Sequence, residues 1–217
     1  FNGLPQVKHT ALLTTWAKAR FFIYFGRRDE ADRRFAEGEC GMLTSSSALF
    51  GALHESRRVD TGVSPLPYHD DVQGAPQQTL AGGASLWAAA GRKPAEYKGI
   101  AQFVRFLMEP DMQVQLTAAS GFLPMTAAGR AAAGSKLLQP DVAGLNIAYR
   151  QLQGPAALRT IRVSEIEKVR IIVEEELEAA WSGKTPAKEA LDIAVQRGNL
   201  VMNQAPAAAA KAPARKK

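Results

Sequence analysis

The chain has 217 residues, of which 46% are hydrophobic and 22% are charged, and these values are typical of a folded globular protein. They exclude a disordered or collagen-like chain. A disulfide-stapled chain is excluded as well, because the single cysteine, Cys40, cannot form an internal disulfide. No apolar run approaches the roughly 20 residues that are needed to span a bilayer.

The formal net charge of +6 is concentrated at the C-terminal end of the chain. Residues 205–217 contain four basic residues and no acidic one, which leaves a charge of about +2 for residues 1–204. The sequence therefore predicts a folded part over residues 1–204 and a disordered Ala/Pro/Lys-rich basic tail over residues 205–217. Because the folded part is nearly balanced in charge, we expect no nucleic-acid partner.

The hydrophobic pattern predicts short strands alternating with helices along the chain. Helices are expected over residues 7–20, 29–36, 48–55, 127–134, 141–152 and 164–181, with a last helix from Pro186. Pro94 opens a further helix that Pro110 breaks, and another helix follows to Ala119. Strands are expected at residues 40–44 and 62–66, and the apolar run 21–25 fits either a strand or the end of the first helix. This alternation favours an α/β fold with a large helical share.

Local signals predict how several of these helices begin and end. Gly121 follows one helix in the position of a C-terminal cap, and Gly183 ends the long helix 164–181. Ser164 and Glu167 have the spacing of a capping box at the start of that helix. The apolar positions of the helix that Pro94 opens keep a 3.6-residue period, which predicts a buried stripe: Ile100, Phe103, Val104 and Leu107.

A catalytic triad could be selected from common residue types in the first third of the chain. Its members would be a serine from 45–47, His54 or His69, and Asp70 or Asp71. The nucleophile motif G-x-S-x-G is absent. A serine hydrolase that uses Ser45–Ser47 is therefore the alternative from a different functional class.

Other polar residues favour structural explanations. The three histidines share no metal-ligand spacing and a single cysteine cannot anchor zinc, so neither a metal nor a cofactor is expected. The acidic residues 174–176 and 178 are expected to lie on the solvated face of a helix. Gly82 and Gly83 lack the spacing of a phosphate loop, and we expect another backbone to approach them closely.

One arrangement points to a binding site. If a buried strand enters a helix at Ser45–Ser47, serine hydroxyls and the N–H groups of the helix start point out of the sheet. Such a helix start favours a bound anion, although an ordinary N-cap explains the serines equally well. Arg162 and Arg170 flank the start of the long helix 164–181, and each could donate a bidentate hydrogen bond to phosphate.

Several segments together resemble the extracellular solute-binding proteins of ABC importers. The signature Phe35-x-x-Gly38-x-Cys40-x-Met42 precedes the serine run, and YKGIAQFVRFL and GFLP follow later in the chain. More narrowly, GRRDEADRRF, GAPQ with GGASLW, RIIVEEELEAAWSGKTP and ALDIAVQRGN are similar to members of this family that bind sn-glycerol 3-phosphate. The similar segments occur in the same order from about residue 1 to residue 203.

This resemblance implies a two-lobed binding protein rather than an enzyme. The chain resembles only the C-terminal part of such a protein, a lobe like those of type II periplasmic binding proteins with a helix-rich C-terminal region. The resemblance therefore implies that the N-terminal lobe and a signal peptide are absent from this chain. Its first residue, Phe1 rather than Met, predicts a processed chain or a piece of a longer one. The implied protein is a periplasmic monomer that delivers glycerol 3-phosphate, or a related phosphoglycerol, to an ABC permease of the inner membrane.

The resemblance also implies four ligand-binding positions. Ser46 matches a serine that contacts the ligand, Gly83 matches a glycine whose backbone does so, and Arg170 matches an arginine that holds phosphate. Phe122 stands where the family has tyrosine, so the ring is kept while a hydroxyl donor is lost. Glycerophosphodiesters are therefore an alternative ligand.

A sugar-binding relative, in which Arg170 would be structural, is the alternative within the family. We expect this chain by itself to bind weakly or not at all, because one lobe offers only part of the donors that a cleft needs.

Overall fold

A computed structural model describes residues 1–56, 58–75, 79, 82–137, 139–152 and 165–204, without the side chains of residues 54–56 and 139–143. The predicted tail 205–217, Arg162 and Ser164 lie outside the described residues. Contacts between residues divide the chain into two compact units. Unit 1 contains Phe1–Arg27 and Arg159–Lys217, and unit 2 contains Arg28–Leu158.

The described residues form nine helices. In chain order they are α1 (Leu4–Lys18), α2 (Glu30–Ala36), α3 (Leu49–Ser56), α4 (Pro94–Leu107), α5 (Pro110–Ser120), α6 (Ala127–Lys136), α7 (Gln139–Leu152), α8 (Ile166–Trp181) and α9 (Ala187–Gln204). Within the described part of the chain, no helix combines the length and the apolar character that crossing a bilayer requires.

In unit 1, α8 and α9 pack against each other, and α1 packs on both. Small side chains line this contact, since Ala180, Ala190 and Ala194 are almost completely buried. Alanine at these positions allows two helix backbones to approach closely, while Val169 and Leu191 supply larger buried side chains. The periodic pattern of the two C-terminal segments thus produces a helical core.

In unit 2, α5 packs against α6 and α3 packs against α5. A buried polar side chain, Gln113, and the buried Ala133 lie in the α5–α6 contact region. At Gly51, an added β-carbon would lie 2.7 Å from the carbonyl oxygen of Ala119, so α3 approaches the end of α5 backbone to backbone. The start of α3 and the residues that follow α5 are thereby brought to the same region.

The predicted α/β class is not what the described residues show, because none of them forms a β-strand. Residues 40–44 and 62–66, which were expected to be strands, have irregular backbone. A strand requires a neighbouring strand whose N–H and C=O groups pair with its own. Here the N–H of Leu66 instead donates to Oε1 of the Gln151 side chain at 2.6 Å.

The run 21–25 is neither a strand nor a helix end. The N–H groups of Phe21 and Phe22 both donate to the carbonyl of Trp16, which ends α1 and turns the chain. Phe22 and Tyr24 then place their rings against Trp181, with centroids at 5.3 and 5.0 Å. Aromatic packing within unit 1 therefore accounts for Phe22 and Tyr24, whereas Phe21 and Ile23 are 82% and 55% exposed.

The helices were predicted correctly to within a few residues at most ends. Gly121 has a φ of 69° and its N–H donates to the carbonyl of Thr117, as expected of a C-terminal cap. Gly183 also has a positive φ, 78°. The N-cap of α8, however, is Glu165, and Phe103 on the expected buried stripe of α4 is 54% exposed.

Candidate functional site

Unit 2 contains a cavity of about 920 Å³ that is lined by both apolar and hydroxyl-bearing side chains. Ser46, Gly83 and Phe122, three of the four positions singled out from the sequence, contribute to its lining. They come from three separate segments: the residues before α3, the 82–89 segment and the loop after α5. The fold of unit 2 therefore brings these three positions to one cavity.

The serine run lies immediately before α3. The hydroxyl of Ser46 accepts a hydrogen bond from the N–H of Ala48 at 3.2 Å, and the hydroxyl of Ser45 donates to Oδ1 of Asp32 at 2.8 Å. The N–H groups of Leu49 and Phe50 donate to the carbonyls of Ser46 and Ser47. Because local acceptors hold these N–H groups, the open anion site expected at this helix start is not present as such.

Gly83 has a backbone conformation that favours glycine, with a φ of 125°. An added β-carbon at Gly82 or Gly83 would meet no atom within 4 Å among the described residues. The expected close approach of another backbone was therefore wrong for the described part of the chain. The glycine leaves the peptide groups around it uncovered on the cavity side, so they are accessible to a ligand.

Phe122 lies in the loop that joins α5 to α6, and its side chain is half exposed. The loop is held from two sides. Gln113 binds Met125 and Thr126, and the hydroxyl of Tyr149 donates to the carbonyl of Pro124 at 2.6 Å. Neither Gln113 nor Tyr149 belongs to a sequence motif that would single it out.

Another part of the cavity lining depends on Gln151, near the end of α7. Its side-chain oxygen accepts from the N–H of Leu66, and its carbonyl accepts from the N–H of Thr79 at 2.8 Å. Two irregular segments that line the cavity are thus fixed to one helix end. No sequence motif marks Gln151, because a glutamine at a helix end has no characteristic pattern.

The described lining of the cavity contains no carboxylate, and its one charged residue is Lys136. The Lys136 ammonium forms an ion pair with Asp111, and both side chains are mostly exposed. Hydroxyl and amide groups supply the remaining polar lining: Thr44, Ser45, Ser46, Ser47, Thr61, Ser64, Thr79, Thr117, Tyr149 and Gln151. Such a surface can bind a polyhydroxylated or anionic small molecule without carboxylate repulsion.

Arg170, the fourth position from the sequence, lies on α8 in unit 1. Its side chain is exposed, and one guanidinium nitrogen lies 3.0 Å from Oε1 of Glu167 on the same helix. An exposed pair of this kind contributes little to stability. The guanidinium thus keeps donors that a ligand could use.

The acidic residues of α8 are not the solvated face that the sequence predicted. Arg27 binds both carboxylate oxygens of Glu178 at 2.7 and 2.6 Å, and the hydroxyl of Tyr24 donates to the same carboxylate. These hydrogen bonds lower the pKa of Glu178 to about 2, with the Arg27 contact as the largest cause. Arg197 similarly binds Glu175 and the buried Glu176. The cluster is a set of ion pairs and hydrogen bonds within unit 1 that link Tyr24, Arg27 and Arg197 to α8.

The described residues offer no metal centre and give the triad little support. No group of three or more His, Cys, Asp or Glu side chains in the described part could hold a metal ion. The hydroxyl of Ser45 donates to a carboxylate, whereas a nucleophilic serine donates to a general base such as imidazole. The side chain of His54 lies outside the described residues.

Comparison with known protein families identifies the group to which this chain is related. The family described as bacterial extracellular solute-binding protein matches residues 2–141. The chain belongs to this family. The match includes the serine run, Gly83 and Phe122, so three of the positions expected from the sequence lie within the family region.

Similar curated members of the family share one name. The sn-glycerol-3-phosphate-binding periplasmic proteins UgpB of Pectobacterium atrosepticum, Salmonella typhimurium and Escherichia coli O6:K15:H31 are 38%, 37% and 36% identical over 207 residues. Each alignment covers 94% of this chain and 47% of the relative. The chain therefore spans about half the length of these solute-binding proteins. Their names describe binding proteins, in agreement with the expectation of a non-enzymatic chain.

Proposed function

We propose that this chain is the C-terminal part of the substrate-binding component of an ABC importer. Its ligand is sn-glycerol 3-phosphate or a glycerophosphodiester, which the protein delivers to permease subunits of the inner membrane from the periplasm. Family membership supports the class of protein, and the names of the relatives support the ligand and the compartment. The single observation that carries the proposal is the cavity lined by Ser46, Gly83 and Phe122.

The chemistry of that cavity suits a small phosphoglycerol. Its serine and threonine hydroxyls can exchange hydrogen bonds with glycerol oxygens, and the ring of Phe122 can pack against the carbon chain. The lining has one cation, Lys136, and no carboxylate among the described residues, which favours an anion over a cation. Each charge-assisted hydrogen bond contributes about 1.5–3 kcal/mol.

In the proposed complex, Arg170 supplies the bidentate contact to the phosphate. Arg170 and its partner Glu167 are both exposed. If Arg170 leaves Glu167 to bind phosphate, the Glu167 carboxylate therefore stays in contact with water and no unpaired charge is buried. Micromolar affinity requires about 8 kcal/mol after the ordering costs are met. The donors named above are too few for that, so the rest of the contacts belong to a second lobe.

The proposal includes a two-lobed architecture of the type II periplasmic-binding-protein kind, in which unit 2 supplies the core of one lobe. The irregular segments 40–44 and 62–66 line the cavity. In the proposed complete protein, these segments pair with strands from the half of the relatives that this chain does not span. Residues 1–204 are then the folded portion, and 205–217 a basic tail.

A hybrid protein tests the ligand directly. The matching 207-residue segment of the Pectobacterium relative is replaced by the corresponding segment of this chain, and the relative supplies the other half of the fold. Titration calorimetry compares sn-glycerol 3-phosphate, glycerophosphocholine, glycerol and maltose, with the unmodified relative as the reference. We expect micromolar affinity for a phosphate-bearing ligand. A folded hybrid that prefers maltose would establish the sugar-binding alternative instead.

A further inference from the structure

We propose that Gln113 is the positioning residue that fixes the Phe122 loop at the cavity wall. The part of this inference that concerns ligand affinity rests on the proposed function, whereas the part that concerns the loop does not. Gln113 lies on α5, and its side chain is 2% exposed. It is the largest fully buried side chain among the described residues, although it is an amide.

The amide of Gln113 uses both of its ends toward the loop region. Its Nε2 donates to the carbonyl of Met108 at 2.8 Å and to Oγ1 of Thr126 at 2.9 Å. Its Oε1 accepts from the N–H of Met125 at 2.7 Å and from the N–H of Thr126 at 3.2 Å. Two donors and two acceptor positions are all occupied, so the buried group is fully satisfied.

These contacts connect the residues before α5 to the loop after it. Thr126 is also the N-cap of α6, since its hydroxyl accepts from the N–H of Gly129. Gln113 therefore joins the start of α5, the end of the loop and the first turn of α6. With Gly121 capping α5 at the other end, the four residues between Gly121 and Thr126 are fixed at both ends.

The surroundings of Gln113 leave space for this amide. A β-carbon at Gly129 would lie 2.6 Å from Oε1 and 2.7 Å from Cδ of Gln113. Gly129 is therefore the position that admits the side chain between α5 and α6. The ring of Phe122, 50% exposed, has little packing of its own to hold it, so the loop backbone determines its place.

The consequence for binding follows from this geometry. A ring held at the cavity wall before the ligand arrives avoids the cost of ordering the loop on binding. Gln113 touches no residue position proposed to contact the ligand directly. Its effect on affinity is therefore indirect and passes through the conformation of residues 121–126.

The experiment compares Gln113→Met, which removes all four hydrogen bonds at similar volume, with Ala133→Gly. Ala133 is buried on α6 and does not line the cavity, so this control loosens the same helix pair without touching the loop. Amide hydrogen exchange of the full chain is measured for Met125 and Thr126. We expect at least tenfold faster exchange in Gln113→Met than in the control, relative to amides in α5.

A third variant, Gln113→Glu, keeps an acceptor for Met125 and Thr126 but turns a carboxyl oxygen toward the carbonyl of Met108. We therefore expect exchange of those two amides between that of Gln113→Met and that of the unmodified chain. In the hybrid protein, Gln113→Met should weaken glycerol 3-phosphate binding about tenfold, while Ala133→Gly leaves it within twofold. Equal exchange at Met125 and Thr126 in Gln113→Met and Ala133→Gly overturns the proposal. An unmodified hybrid that binds no phosphoglycerol contradicts the proposed function alone, since the exchange result stands apart from it.

Discussion

Gly121 lies directly against the backbone carbonyl of Ser47, at the place where the end of α5 meets the start of α3. A β-carbon at Gly121 would overlap the carbonyl oxygen of Ser47 and would lie 2.9 Å from its carbonyl carbon. One glycine thus ends α5, turns the chain toward Phe122 and lets the serine run approach. The Ser45–Ser47 run and the loop that contains Phe122, which both line the cavity, meet at this contact.

Gly121→Ala should therefore destabilise unit 2 strongly. The φ of 69° costs an alanine about 1–2 kcal/mol, and displacing the Ser47 carbonyl adds to that, so we expect a loss of at least about 3 kcal/mol. Denaturant unfolding of the chain measures the change. Gly134→Ala is the control, because nothing lies within 4 Å of its β-carbon and alanine favours a helix. A loss below about 1 kcal/mol would show that the contact is not tight.

The ion pairs of unit 1 should make its free energy of unfolding depend on pH in the acidic range. The contacts with Arg27 and Tyr24 lower the pKa of Glu178 to about 2 from its ordinary value of 4.5. The stabilisation by ionised Glu178 is therefore complete above about pH 4.5 and is lost as the pH falls toward 2. Glu178→Gln should remove this part of the pH dependence.

The measurement for Glu178 is the free energy of unfolding between pH 6 and pH 2.5 at fixed ionic strength. Glu37→Gln serves as a charge-matched control, since Glu37 forms a long pair with the exposed Arg33 at 3.8 Å. We expect the unmodified chain and the control to lose stability together as the pH falls. Glu178→Gln should start lower and fall less steeply, and parallel curves for all three proteins would contradict the account.

Phe122→Tyr tests whether the lost hydroxyl matters. If Phe122 faces the ligand, tyrosine adds a donor toward an anion, and the affinity of the hybrid for glycerol 3-phosphate should rise up to about tenfold. Phe103→Tyr adds the same hydroxyl to an exposed ring that does not line the cavity, and it should change nothing. A rise with Phe103→Tyr, or none with Phe122→Tyr, would remove Phe122 from the ligand contacts.

Lys136 offers a test of the electrostatics of the cavity. Lys136→Gln removes the one charged residue in its described lining, and we expect a twofold to fivefold loss of glycerol 3-phosphate affinity in the hybrid. The loss should shrink at high salt, because exposed charges are screened. Lys98→Gln, on α4 and outside the lining, is the matched control. A loss that is independent of salt would point to packing rather than charge.

The helices of this chain could be predicted from the sequence, whereas the two predicted strands are not formed among the described residues. In a helix such as α8 the backbone hydrogen bonds form within the segment itself, and its apolar residues repeat with a period that the sequence shows. A strand exists only with a neighbour, and the apolar runs at 40–44 and 62–66 have no strand beside them among the described residues. Apolar composition alone could not reveal that difference.

Only some residues of the candidate site could be predicted from the sequence. Ser46, Gly83 and Phe122 were singled out by a resemblance over long segments, and the fold brings them to one cavity. Gln113 was missed because a buried glutamine in a helix has no pattern that separates it from a solvated one. The ion pair of Glu178 could not be predicted either, because its partner Arg27 is 151 positions away in the sequence.

The central proposal is that Ser46 and Arg170 are both ligand contacts of the complete binding protein. Calorimetric titration of the hybrid with sn-glycerol 3-phosphate, before and after Arg170→Ala, tests it most directly. Arg33→Ala is the control. Arg33 is also an exposed helical arginine, and it pairs with Glu37, a few positions away in the sequence, as Arg170 does with Glu167. The account predicts a tenfold to hundredfold loss for Arg170→Ala, a similar direction for Ser46→Ala, and no change for the control. Unchanged affinity in a folded Arg170→Ala hybrid would contradict it.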